Sequence, residues 1–127
     1  MKYEEVTDAL MKAFPEFEYK DCSEGLPYCI AGDFARYLLN AYRDNDTSIL
    51  AKAGDFIENL YSYGDNEVDN LAMVGFLEGI QNVWGNNRTN PDELLEYLGD
   101  KSKDGWLYLN RSWNGCDTCT EWFSKLL

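Results

Sequence analysis

Apolar residues recur at steps of three and four along most of the chain, and the runs break at prolines, glycines and acid-rich turns. That rhythm predicts a series of amphipathic helices. Val6, Leu10 and Phe14 mark a short first helix that ends near Pro15. After an irregular polar stretch from Phe17 to Gly25, Pro27 suits the first turn of a helix reaching about Arg43, with Ile30, Ala31, Phe34, Leu38, Ala41 and Tyr42 at helical spacing. Asp46 or Thr47 can cap the next helix, the cleanest in the chain, on which Ile49, Leu50, Ala53, Phe56, Ile57 and Leu60 trace one face. Gly64 stands where a left-handed terminator would close it.

Asp65 and Asn66 then start a helix through Val68, Leu71, Ala72, Gly75, Phe76, Gly79, Ile80 and Val83. Met73, Val74 and Leu77 make it apolar nearly all round, as expected of the central helix of a bundle. Gly85 to Thr89 reads as a loop, and Asn90-Pro91-Asp92-Glu93 as an N-cap, a first-turn proline and two acids favoured by the helix dipole. A short helix with Leu94, Leu95 and Leu98 follows and stops at Gly99. Beyond a polar loop from Asp100 to Asp104, Trp106, Leu109 and Trp113 favour helix over strand, and Asp117 to Leu127 reads as a terminal helix. The expected fold is all-α, a compact multi-helix bundle or irregular α-α stack of about six helices in one domain spanning residues 1–127.

One motif occurs twice, as Ala31-Gly32-Asp33-Phe34 and Ala53-Gly54-Asp55-Phe56. The offset is too short for the helix-pair repeats of an α-solenoid. Each glycine is better read as a place where a neighbouring helix comes close.

Composition narrows the function classes. The 127 residues include 23 acids, 11 bases and no histidine, for a net charge of −12. Such a balance repels nucleic-acid backbones and anionic lipids, so neither is an expected partner. The absence of histidine removes the commonest general base and metal ligand. No apolar run reaches membrane-spanning length and the first residues are acidic rather than signal-like, which predicts a cytoplasmic protein.

The four cysteines are expected to be reduced, small buried residues, or to form one incidental disulfide. Cys116 and Cys119 form a C-x-x-C, but a zinc site would need Cys22 and Cys29 as well, spaced too widely for the usual knuckle. No metal and no cofactor is expected. Asp33 and Arg36, one turn apart beside Tyr37, read as a partly buried ion pair. Glu78 in the apolar helix reads as solvent-facing beside Gln81 and Asn82. No serine or cysteine has a base in reach and no glycine run cradles phosphate, so the protein is not expected to be an enzyme.

Charge placement is more telling. From Ala53 to Asp100 there are ten acids and one base, Arg88. Asp55 and Glu58 share a polar face, and Asp65, Glu67 and Asp69 gather at the following turn. The repulsion among them would be relieved by a basic partner, which the same field would attract. Tyr61, Tyr63 and Trp84 are the aromatic residues expected to anchor such a contact.

Several strings of residues resemble a known group. Leu26-Pro27-Tyr28, Gly32-Asp33-Phe34-Ala35-Arg36-Tyr37-Leu38, Phe56-Ile57-Glu58, Tyr63-Gly64-Asp65-Asn66-Glu67-Val68 and Val74-Gly75-Phe76-Leu77-Glu78-Gly79 are similar to a family of small acidic bacterial proteins of unknown function. The likeness continues through Leu98-Gly99 and Lys101-Ser102-Lys103 to Trp106 and Trp113, covering residues 26–113. Some members look like immunity proteins of polymorphic or contact-dependent toxin systems. The resemblance implies a non-enzymatic protein that binds a cognate toxin domain, and it transfers no catalytic residue. The alternative expectation is a helical scaffold that binds peptides or assembles with itself, for instance as a homodimer.

Overall fold

A computed structural model describes residues 1–20 and 25–114, with side chains described as far as Arg111. Among the described residues the chain is helical without strands. A 3-10 turn over Tyr3–Glu5 leads into α1 (Val6–Ala13), which buries Val6 and Leu10 and ends before Pro15. Helix α2 (Pro27–Arg43) has Pro27 in its first turn, where a missing N–H costs nothing. It is stopped at Asn45, whose φ of 58° is left-handed, a conformation asparagine tolerates. Asp46 caps α3 (Thr47–Tyr63) by accepting the Ile49 N–H.

Gly64 closes α3 for a reason other than handedness. Its φ of −89° and ψ of 160° are extended, and a Cβ there would lie 2.3 Å from Val68 Cγ1 and 2.4 Å from Leu60 O. Space, not backbone conformation, demands glycine.

Asp65 accepts the Val68 N–H and starts α4 (Asn66–Asn70). The backbone stays helical through a π-helical stretch, Leu71–Leu77, and on into α5 (Glu78–Asn86). This continuous run is the predicted central helix, and it packs against α2, α3, the 3-10 segment Pro91–Tyr97 and α6 (Asp100–Asn114). Gly85 and Asn86, expected in a loop, belong to α5. The short helix after Asn90 is 3-10 rather than α.

The expected polar loop Asp100–Asp104 is instead the first turn of α6. Its cap comes from another helix. Glu58 Oε1 on α3 accepts the Ser102 N–H at 2.8 Å and the Ser102 hydroxyl at 2.7 Å, while Oε2 accepts the Lys101 N–H at 3.2 Å. A carboxylate at a helix N-terminus satisfies donors that the helix itself leaves unpaired.

The two Ala-Gly-Asp-Phe motifs part company in the fold. A Cβ on Gly54 would sit 1.9 Å from Tyr97 O, so α3 and the 3-10 segment touch backbone to backbone there. Gly32 has nothing within 4 Å of the same position. The close-approach reading holds at Gly54 only.

The core is one cluster drawn from every helix, with an aromatic centre. Phe34 meets Phe14, Phe17 and Phe76 edge-on at centroid distances of 4.9, 5.3 and 5.9 Å, and Tyr37 lies nearly parallel to it at 5.8 Å. Cys29 is exposed and disulfide-bonded, in line with the disulfide alternative rather than with a reduced, buried thiol. Cys22, Cys116, Cys119 and the expected terminal helix lie outside the described residues. No helix is long and apolar enough to cross a membrane among the described residues.

Candidate functional site

The eight residues proposed from sequence as a binding surface separate into a structural group and an exposed group. Trp84 is fully buried, and its indole N–H donates to Ala35 O at 3.1 Å, so it is a core residue holding α5 to α2. It stands one helical turn beyond buried Ile80, and the apolar stripe that placed Ile80 inside carries Trp84 with it. Glu58 is half-buried and occupied in capping α6. Burial pushes its carboxyl pKa up, but the hydroxyl and N–H of Ser102, the N–H of Lys101 and the Lys101 charge hold it below the ordinary value.

Tyr61 is half-buried, with a hydroxyl that has no hydrogen-bond partner in the described structure. Burial, then the charges of Asp69 and Glu58, push its pKa up to about 12. Asp69 is half-buried as well, and its Oδ1 is likewise unpartnered. The Tyr61 hydroxyl and one Asp69 carboxylate oxygen are thus buried at the α3 to α4 corner.

Asp55, Tyr63, Asp65 and Glu67 are exposed. Asp55, Asn59 and Tyr63 form an exposed stripe at four-residue steps on α3. Tyr63 is 71% exposed, more than any other large apolar side chain among the described residues. Asp65 gives one carboxylate oxygen to the α4 cap, and Glu67 lies in the first turn of that helix. The corner is therefore an acidic edge with a projecting tyrosine, and of its four exposed side chains Asp65 is the one that caps a helix.

Residues that the sequence did not assign to a binding surface extend this edge. The Met1 carbonyl accepts the Asp65 N–H and the Met1 nitrogen donates to Tyr63 O, so the first residues are laid across the corner. Tyr3, two residues on, pairs with Tyr28 of α2 at a ring centroid distance of 6.3 Å. Tyr28 is 41% exposed. Burial first, then Tyr28 and the charge of Glu67, push the Tyr3 pKa up. No local pattern joins residues 1–3 and 28 to residues 63–67, so only tertiary packing reveals the extension.

A second feature is a cleft of about 290 Å³ between the segment after α1 and the outer face of α2. Asp33 and Arg36 meet in it at 2.7 Å, the ion pair the spacing suggested. Glu78 is half-buried. No group of three or more Cys, Asp or Glu side chains among the described residues is arranged to hold a metal ion.

No curated protein and no solved structure matches the chain. A family match begins earlier than the motifs of residues 26–113, taking in α1 from its second residue, which those motifs had left out, and it stops before the Cys116 to Cys119 tail. Residues 7–114 match the family model described as a domain of unknown function, DUF7674, and the chain belongs to that family.

Proposed function

We propose that the protein is a non-enzymatic binding protein that neutralises a cognate bacterial toxin, of a basic, nuclease-type surface, by direct contact in the cytoplasm. The observation that carries this reading is the exposed edge formed by Asp55, Tyr63, Asp65 and Glu67, with Tyr3 and Tyr28 beside it. Acids on a rim raise the encounter rate with a basic partner, and a tyrosine at the centre supplies contact area at low entropic cost. A standard interface needs about 800 Å² on each side, and the described chain exposes 7404 Å². The Cys29 disulfide pulls against the cytoplasmic part of the reading, because reducing compartments rarely maintain one.

Co-expression with the product of the adjacent gene tests the proposal: a stable complex and protection of cells are expected. Failure of both would sink it. The structure also selects the variant to use. Reversing Glu58 or Asp65 would uncap α6 or α4, whereas Asp55 and Glu67 cap nothing. The double variant Asp55→Lys, Glu67→Lys should fold, slow association several-fold and flatten its salt dependence. Unchanged kinetics would place the interface elsewhere.

The second reading, a helical scaffold that binds peptides or itself, is favoured by Leu107 and Tyr108, both about half-exposed on α6. A homodimer without affinity for basic proteins would support it.

A further inference from the structure

The cleft beside α2 has features that the acidic edge does not explain. Its floor is aromatic and fixed: Phe17 is buried, Tyr37 is half-buried, and their rings meet edge-on at 5.4 Å. Phe34 backs both rings. Above this floor, Asp33 works as a clamp. Its side chain is 11% exposed, and it accepts the Lys20 N–H at 3.1 Å on one oxygen and Arg36 at 2.7 Å on the other.

The clamp has a consequence for Arg36. One edge of the guanidinium is tied to Asp33, while the side chain as a whole remains 62% exposed and its other N–H groups meet no acceptor among the described residues. A planar cation held by one edge presents the other in a set orientation, which suits a carboxylate. Lys20 adds an ammonium at the rim, and Asn40, one turn beyond Arg36, adds an exposed amide. Tyr37, whose pKa burial, Glu16 and Asp46 raise, stays an O–H donor at neutral pH. Glu18 is the lining acid outside the clamp.

We propose that this cleft binds a carboxylate carried on a flat apolar body, with the carboxylate against Arg36 and Lys20 and the flat body against the Tyr37 ring, which buried Phe17 supports from beneath. The volume, about 290 Å³, admits one ring and its carboxylate. That chemistry has two sources, a free aromatic acid and the carboxyl terminus of a peptide ending in phenylalanine.

The test uses the full chain, labelled for amide NMR and titrated at pH 7 with benzoate, with N-acetylphenylalanine and with the amide of the latter. Both carboxylates should shift the amides of Phe17, Arg36, Tyr37 and Asn40, and the amide should not. Tighter binding of benzoate assigns a free acid, and tighter binding of N-acetylphenylalanine assigns a chain terminus. Arg36→Gln should weaken either by about tenfold, the loss expected of a charged hydrogen-bonding partner. Because Arg36 also braces Asp33, Lys20→Gln is the companion variant. Its ammonium has no acceptor among the described residues, and it should weaken binding several-fold with an unchanged melting temperature. Equal binding of acid and amide, no shift with any probe at millimolar concentration, or undiminished affinity in both variants would overturn the proposal.

Discussion

Glu58 is the residue whose role changed most between pattern and structure, and it makes the sharpest single-residue prediction. Glu58→Gln should cost about 2 kcal/mol at pH 7, the upper range for loss of a helix cap, measured by urea unfolding. Its folded pKa lies below the ordinary 4.5, so the stabilisation is complete above that value and is lost as pH falls through the lower folded value. The gap between wild type and variant should therefore close in acid. Tyr61 behaves in the opposite sense. Its buried hydroxyl lacks a partner, so Tyr61→Phe should leave stability unchanged or raise it by about 1 kcal/mol. Its folded pKa of about 12 lies above the unfolded 10.0. The neutral form is thus favoured by folding, and stability falls as pH rises from 10 toward 12. Tyr61→Phe should fall less steeply over that range, and an equal slope would assign the alkaline loss to other tyrosines. The exposure of Tyr63 follows from the apolar stripe of α3, which passes through Ile57 and Leu60 and leaves positions 59 and 63 outside. The burial of Trp84 followed from the same rule applied to α5.

Helix positions were legible where the signal is local. Pro27, Asp46, Asp65 and Asn90 stand at starts because each meets the needs of a first turn from its own sequence neighbourhood. The start of α6 was not legible. Lys101-Ser102-Lys103-Asp104 reads as polar loop until the Glu58 carboxylate, 44 residues away from Ser102, supplies the cap. The twin glycines give the matching prediction. Gly54→Ala drives a methyl into the Tyr97 backbone and should destabilise by about 3 kcal/mol or prevent folding. Gly32→Ala meets open space in the interior of α2 and should stabilise by up to about 1 kcal/mol. Thermal unfolding of both variants checks the pair, and like signs would refute the distinction. Two identical tetrapeptides differ here only in what the fold brings against them.

For the whole molecule, net charge is the governing quantity. At −12, with Arg36 to Asp33 the one ion pair among the described residues, repulsion between helices opposes folding and is screened by salt. Raising ionic strength from about 0.01 to about 0.15 M shortens the screening length from about 30 to about 8 Å, so the melting temperature should rise. A flat or falling response would mean the acids are already compensated within the fold. The sequence alone determined the all-α class, most helix positions and the acidic character, because helical periodicity, capping chemistry and net charge are properties of near neighbours or of simple sums. Tertiary structure decided which acids are free. Glu58 and Asp69 are half-buried, Asp55 and Glu67 exposed, and the corner gains Tyr3 and Tyr28 from distant segments. It also decided that the backbone N–H of Lys20 and the guanidinium of Arg36 are bound to one carboxylate above an aromatic floor. These outcomes depend on which helix faces cross and at what distance, and contacts between residues far apart in the chain leave no periodic trace in it.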